Sequence, residues 1–439
     1  MKFPVIKGFD EAAFNKYLKN TGWLMSGKLL SLIVGFLVTR YLGRELFGDL
    51  SFALALVAIT AAVGALGLDT FIIREIINEP LKRDEILGTA LYLRLGANIL
   101  LIPITLGVYL FYHYFSATPG ETLTLLIVLL SLTSVFKSFN VIDAYFQSQV
   151  QSKYVVYVQN ICLFITAILK VAVVLLGLPL IYLVLVLVFD AFMLAVGLVI
   201  VYQNRGISIL NWSFNKTRGM SLLKQSFPLI LSAVMVTVYM KIDQIMLKQL
   251  GSGAVGVYSA AANLSEAWYF IPTAIITSVF PSILNARKTD LARYEKRLKH
   301  LYELLIYISL PVAIFISFFA NQIIDLIYKD EFQGAGAMLS IHIWSGIFVF
   351  LGVASSQYLL AEGYTKISFY RTMAGAIINI LLNLWLIPLY GGAGASIATL
   401  IACIISTFYL LLIPKTRLQG IMMLKSLFLV TAFQKIFKR

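Results

Sequence analysis

Tyr41-Leu42-Gly43-Arg44-Glu45-Leu46-Phe47-Gly48-Asp49-Leu50-Ser51-Phe52-Ala53, with Leu56 just beyond, is answered later by Gln249-Leu250-Gly251-Ser252-Gly253-Ala254-Val255-Gly256-Val257-Tyr258-Ser259-Ala260-Ala261 and then Leu264. At a constant offset of 208, Leu42, Gly43, Gly48, Ser51, Ala53 and Leu56 recur as Leu250, Gly251, Gly256, Ser259, Ala261 and Leu264. A second echo, offset by 213, joins Tyr145–Lys153 to Tyr358–Lys366, where Tyr, a small residue, Gln or Glu, Ser or Thr, and Lys fall in the same order. Two matches at corresponding places read as an internal duplication.

Around these repeats the chain is overwhelmingly apolar. Sixty per cent of its 439 residues are hydrophobic and 13% are charged, which cannot cover an ordinary water-facing surface. A hydrocarbon core roughly 30 Å thick takes about 20 apolar residues in a helix. Twelve such stretches occur, near 20–42, 48–70, 88–112, 122–146, 155–177, 180–202, 221–247, 254–282, 300–320, 335–360, 367–388 and 393–413. The expected fold is therefore an all-α integral membrane protein of about twelve transmembrane helices. Six spans per copy make both copies start on the same side, so the halves are parallel repeats, two six-helix bundles around a central cavity. The expected divisions are an N-terminal half at 1–203, a linker at 204–220, a C-terminal half at 221–413 and a basic tail at 414–439.

The formal charge of +14 would suggest nucleic acid in a soluble protein, but here its placement sets topology. Most of the 35 Lys and Arg fall on the side of the termini, with Arg287, Lys288, Arg293, Lys296, Arg297 and Lys299 together in one connection. Both termini are thus expected in the cytoplasm, in a multi-pass protein with membrane lipids as its surroundings and no nucleic-acid partner. Soluble-enzyme motifs are missing. Gly22, Gly27 and Lys28 have P-loop spacing, yet Leu29 stands where a magnesium-binding Ser or Thr belongs. His113, His300 and His342 are scattered, so neither metal nor cofactor is expected, and no catalytic residue.

Ionisable residues inside spans carry more information, because each costs about 2.5–3.5 kcal/mol at mid-bilayer unless it meets a partner or water. In the first half these are Lys28, Arg94, Lys137 and Lys170, with Asp143 and Asp190 nearer span edges; in the second they are Lys241, Asp243 and Glu266. Lys28 shares a helical face with Gly35 and Thr39, Arg94 with Asn98, Thr105 and Tyr112, and Lys137 with Thr133 and Asn140. On the eighth span Ser259, Asn263 and Glu266 fall on one line, and on the seventh Asp243 follows Tyr239; Lys241 points about 200° away from Asp243. Lys170 and Lys241 lie near span ends and read as snorkelling cations. Lys28, Arg94 and Lys137 form the expected cationic substrate site, for which a diphosphate supplies the missing anion. Asn98, Tyr112, Asn140, Tyr239 and Asn263 are the expected cavity contacts, and Asp243 and Glu266 the candidates for coupling to H+ or Na+.

One further stretch carries a resemblance. Asn379-Ile380-Leu381-Leu382-Asn383-Leu384-Trp385-Leu386-Ile387-Pro388, followed by Tyr390-Gly391-Gly392-Ala393-Gly394-Ala395-Ser396-Ile397-Ala398-Thr399, together with the duplicated twelve-span plan, resembles the polysaccharide repeat-unit (O-antigen and capsular, Wzx-like) flippases. These belong to the multidrug, oligosaccharidyl-lipid and polysaccharide exporter superfamily. The resemblance implies translocation of an undecaprenyl-diphosphate-linked oligosaccharide from the cytoplasmic to the outer leaflet of the cell inner membrane by alternating access, driven by an ion gradient as in an antiporter, and makes sugars the expected partners of the cavity contacts. It also makes a polysaccharide polymerase and chain-length machinery the candidate protein partners. Two other readings stay open: an ion-coupled multidrug exporter of the same architecture, and a membrane enzyme acting on the same carrier. Related lipid II flippases typically carry more spans.

Overall fold

The computed structural model describes residues 11–116 and 121–428; within them the side chains of 11–26, 28, 113, 115–116, 121, 277–278, 281 and 288–289 are not described. The helices are α1 (Glu11–Gly64), α2 (Asp69–Asn78), α3 (Arg83–Ser116), α4 (Glu121–Lys137), α5 (Val141–Ser148), α6 (Lys153–Leu175), α7 (Leu180–Gln203) and α8 (Lys216–Leu247). They continue with α9 (Ser252–Glu266), α10 (Phe270–Thr289), α11 (Leu291–Phe318), α12 (Ala320–Tyr328), α13 (Ala335–His342), α14 (Ser345–Ala361), α15 (Thr365–Phe408) and α16 (Arg417–Leu427). The described residues contain no strand, as expected where backbone groups facing lipid must be satisfied within their own segment.

Nine helical segments among the described residues are long and apolar enough to cross a membrane. Two of them, Leu29–Asn78 and Thr365–Leu412, span 50 and 48 residues, more than twice the ~30 Å hydrocarbon thickness at 1.5 Å per residue. Each folds back at a glycine: Gly43 with φ 66° inside α1, and Gly391 with φ 56° inside α15. Only glycine enters such conformations without a steric penalty. Gly251, the repeat partner of Gly43, turns the chain before α9 with φ 103°. With α9 and α10 crossing in two pieces, the helices are consistent with the twelve expected spans.

The duplicated motif forms the seam between the halves. A Cβ on Gly48 would overlap the carbonyl of Ser252, and one on Gly256 would overlap the carbonyl of Arg44. Arg44 and Ser252 are themselves 208 residues apart, so the two copies make the same contact with their roles exchanged, as across a two-fold axis. Asp49 ties this seam: its carboxylate accepts from Lys248 Nζ at 2.5 Å and from Ser252 Oγ at 2.6 Å. One apolar cluster runs through the seam from Leu50, Phe52 and Leu56 to Val255, Ala260 and Leu264. The halves are thus closed against each other at the face opposite the basic connections, the distal face.

At the basic face the residues expected to form a linker are ordered. Asn215 caps α8 by accepting from Arg218 N at 3.1 Å, and its own N–H donates to Thr89 Oγ1 at 3.0 Å. Trp212 Nε1 donates to the Tyr202 hydroxyl at 3.2 Å, and Trp212 and Leu222 join the apolar cluster of α2, α3, α5 and α7. The Arg218 guanidinium reaches Glu85 at 2.7 Å, Glu79 at 2.9 Å and Glu75 at 3.4 Å. Hydrogen bonds from Lys82 and Arg218 hold the Glu79 carboxyl below its ordinary range. Its contribution is therefore present at neutral pH and lost as pH falls through that lowered value. Such a network of half-buried pairs exceeds an isolated surface pair. Arg218→Ala should weaken docking of this segment by about 1–2 kcal/mol, read as faster proteolysis between residues 204 and 216.

Candidate functional site

Two of the three expected cations meet in one pocket. A cavity of about 360 Å³ inside the N-terminal half, toward the basic face, is lined by Asp69, Arg94, Asn98, Lys137, Asn140 and Asp143, with Gln147, Ser134, Ala61 and Ala65. α3 supplies Arg94 and Asn98 one turn apart on one face, and Lys137 and Asn140 flank the tightened turn between α4 and α5. Asn98 Nδ2 donates to Ser138 Oγ at 3.0 Å, its Oδ1 has no partner among the described residues, and Gly64 leaves the room its amide occupies.

The electrostatics differ from the expectation of unpaired cations. Arg94 donates to Asp69 Oδ1 at 2.8 Å and to the Ala65 carbonyl at 3.2 Å, its side chain 4% exposed and that of Asp69 61% exposed. Lys137 is exposed at the pocket and enters no ion pair among the described residues. With Asp69 and Asp143 facing Arg94 and Lys137, the pocket balances charge and is rich in amides. Such a lining can hydrogen-bond several hydroxyls at once while offering one free ammonium to an anion.

A second cavity, about 350 Å³, lies between the halves toward the distal face. Its walls are Ser31, Gly35 and Thr39 of α1, Lys170 of α6, Asn263 and Glu266 of α9, and Tyr328 of α12. Gly35 and Thr39 share the helical face expected for Lys28, whose side chain lies outside the described residues. Lys170 and Lys241 do not behave as snorkelling cations: Lys170 lines this cavity, and Lys241 Nζ pairs with Glu266 at 3.1 Å. Tyr112 sits at the seam instead, its ring 5.6 Å from Phe52 and its hydroxyl 3.5 Å from the Ile245 carbonyl. Tyr239 is partly buried on α8 and belongs to neither lining.

Asp243 lies apart from both cavities, 1% exposed in the C-terminal half. Its carboxylate accepts from the Tyr258 hydroxyl at 2.5 Å, from Asn383 Nδ2 at 2.5 Å and from the Thr399 hydroxyl. Asn383 Nδ2 also reaches Asn379 Oδ1 at 3.2 Å, and Asn383 Oδ1 has no partner among the described residues. Asn379, Asn383 and Thr399, which the sequence offers only as a signature, come together in space: Asn383 and Thr399 meet the acid, and Asn379 hydrogen-bonds to both of them. His342 stands behind Tyr258, ring centroids 6.0 Å apart. Among the described residues no group of three or more His, Cys, Asp or Glu could hold a metal ion, and Cys162 and Cys403 are free and buried.

Arg371 was missed. It is buried in the second half, donating to Ser355 and Ser356 and, at 3.0 Å, to the Gly352 carbonyl. It was legible as a cation inside an apolar stretch, but its partners lie on α14, outside its own helical periodicity.

Residues 37–337 match the family described as "Polysaccharide biosynthesis protein". An uncharacterized membrane protein of Methanocaldococcus jannaschii is 27% identical over 205 residues, 45% of this chain and 47% of that protein. A probable flippase of Haloferax volcanii, AglR, is 26% identical over 157 residues, 35% of this chain and 33% of that protein. The chain thus matches half or less of the length of these curated relatives. Among solved structures, the inward closed conformation of lipid II flippase MurJ superposes with a TM-score of 0.75 at 16% identity, covering 95% of this chain and 93% of that one. An inward-facing multidrug resistance MATE family transporter gives 0.70 at 15% identity, covering 93% and 96%. At such identities the likeness establishes the fold: all-helical, in two related bundles. The family match covers well over half of the chain, and the chain belongs to the polysaccharide biosynthesis protein family.

Proposed function

We propose that this protein is a flippase that carries an undecaprenyl-diphosphate-linked oligosaccharide repeat unit from the cytoplasmic to the outer leaflet by alternating access. The observation that carries this reading is the pocket where Arg94, Lys137, Asn98 and Asn140 converge. Family membership and the flippase names of the Haloferax relatives support it. The basic face is taken as cytoplasmic and the distal face as outer, following the positive-inside pattern. Lys137 then meets the diphosphate, and Arg94 exchanges the exposed Asp69 carboxylate for a phosphate oxygen. Asn98, Asn140, Gln147 and Asp143 hydrogen-bond sugar hydroxyls. Asn263 and Glu266, the latter paired with Lys241, serve the next stage, in the cavity between the halves.

Asp243 is the coupling group in this scheme. The Tyr258 and Thr399 hydroxyls and the Asn383 amide converge on its carboxylate, and together with the unpartnered Asn383 Oδ1 they offer oxygens that suit a hard monovalent cation. Sodium held by Asp243, Asn379, Asn383 and Thr399, or a proton on Asp243, would neutralise the buried charge. Either would bias the equilibrium between inward- and outward-open forms. A polysaccharide polymerase and chain-length machinery remain the proposed protein partners. The work done is transport of a lipid, with no bond made or broken.

Lys137→Ala should slow flipping of a lipid-linked oligosaccharide in proteoliposomes by about tenfold to a hundredfold, the worth of one charge-assisted hydrogen bond. Membrane insertion should be unchanged. Full activity in this variant would remove the pocket from the pathway. The multidrug reading would instead be favoured by efflux of cationic dyes that Lys137→Ala leaves intact.

A further inference from the structure

We infer that a groove on the lipid-facing flank of the distal side binds an anionic, phosphate-bearing lipid, with its phosphate on Arg40 and its chain along α1. The groove, about 450 Å³, is lined by Ile33, Phe36, Leu37, Arg40 and Tyr41 of α1, Val174 of α6 and Ile327 of α12. Ile33, Leu37 and Arg40 follow one face of α1 over two turns, so a cationic head stands at the end of an apolar track about 10 Å long. Arg40 is exposed one turn before the Gly43 reversal. Unlike Arg44, which has Glu45, and Lys248, which has Asp49, it has no ion pair or hydrogen bond among the described residues. An unpaired guanidinium at the membrane interface above an apolar track is complementary to a lipid phosphate above its chain.

The position of the groove gives the site a role, and this step rests on the flippase reading. α1 and α6 belong to the first half of the chain and α12 to the second, so movement of the halves reshapes the groove. Phe36 lines both this groove and the cavity between the halves, and its ring meets that of Tyr328 edge-on at 5.9 Å, making a two-ring partition. The pocket around Lys137, the cavity around Glu266 and the Arg40 groove succeed one another from the basic to the distal face. The groove is placed to receive the lipid as it leaves sideways into the outer leaflet.

The test uses the full chain in detergent–lipid micelles carrying equal amounts of polyprenyl monophosphate, phosphatidylglycerol and phosphatidylcholine, with retained lipid read by native mass spectrometry. A photoreactive benzoylphenylalanine at Leu37 reports the lipid in the groove. Both anionic lipids should be retained and cross-linked in preference to phosphatidylcholine. Arg40→Gln should cut that preference about fivefold, the size expected for one basic residue at an anionic interface. Arg44→Gln, which removes a neighbouring charge outside the groove, should leave it intact. Equal retention by wild type and Arg40→Gln, or equal losses in both variants, overturns the site. Arg40-dependent retention in a protein that flips no lipid-linked oligosaccharide would leave the site standing and reject the flippase reading.

Discussion

A valine at Gly256 is expected to hold the distal seam open. Gly256 lies against the Arg44 carbonyl, and Gly48 against that of Ser252, with no space for even a Cβ at either place. The obstruction is backbone, which cannot rotate aside as a side-chain tip would. Overpacking of this kind costs about 1–3 kcal/mol, and that cost falls only on the form with the seam closed. It should move the equilibrium toward the outward-open form by about tenfold to a hundredfold. The readout is labelling of Asn263→Cys in the central cavity by a membrane-impermeant maleimide added outside. Background is low because Cys162 and Cys403 are buried. Labelling should quicken at least tenfold, and Gly48→Val should act in the same sense because the contact is two-fold related. An unchanged rate would mean that the seam is not the outer gate.

Asp243→Asn should abolish the response of transport to an ion gradient. The substitution keeps the volume and removes the charge at a site where three donors, from Tyr258, Asn383 and Thr399, converge on the carboxylate. If Asp243 is the coupling group, gradient-driven flipping should fall by about a hundredfold, while slow exchange without a gradient persists. Moving 1:99 to 99:1 between two forms needs about 5.5 kcal/mol of differential binding, and only a buried charge in this half offers an ion so much. Transport that still responds to Na+ or H+ gradients in Asp243→Asn would place coupling elsewhere, with Glu266 next in line.

The duplication and the membrane class were legible because both are local. Gly43 and Gly251 mark reversals through their own backbone angles, and apolar length declares a span without reference to neighbours. The site was legible only by halves. Helical periodicity brought Arg94 onto one face with Asn98, and Lys137 with Asn140, and the pocket unites the two faces. Periodicity could not find partners on other helices. Asp69 neutralises Arg94 from beyond the end of α1, and Glu266 holds Lys241. Asp243 gathers Asn383 and Thr399 from 140 and 156 residues away. Cations in the first half and acids in the second therefore do not divide cleanly: Asp69 and Asp143 answer the cations of the first half, and Arg371 is buried in the second. What distinguishes the halves is a charge-balanced, water-accessible pocket in one and the sequestered Asp243 carboxylate, ringed by polar donors, in the other.

The most direct test is translocation itself. Purified protein in liposomes, given a fluorescent undecaprenyl-diphosphate-linked oligosaccharide in one leaflet, should expose it to a membrane-impermeant quencher on the other side. That exposure should outpace protein-free liposomes and Lys137→Ala alike. Rates equal to protein-free liposomes, alongside efflux of a cationic dye, would contradict the flippase and establish a drug exporter on the same scaffold.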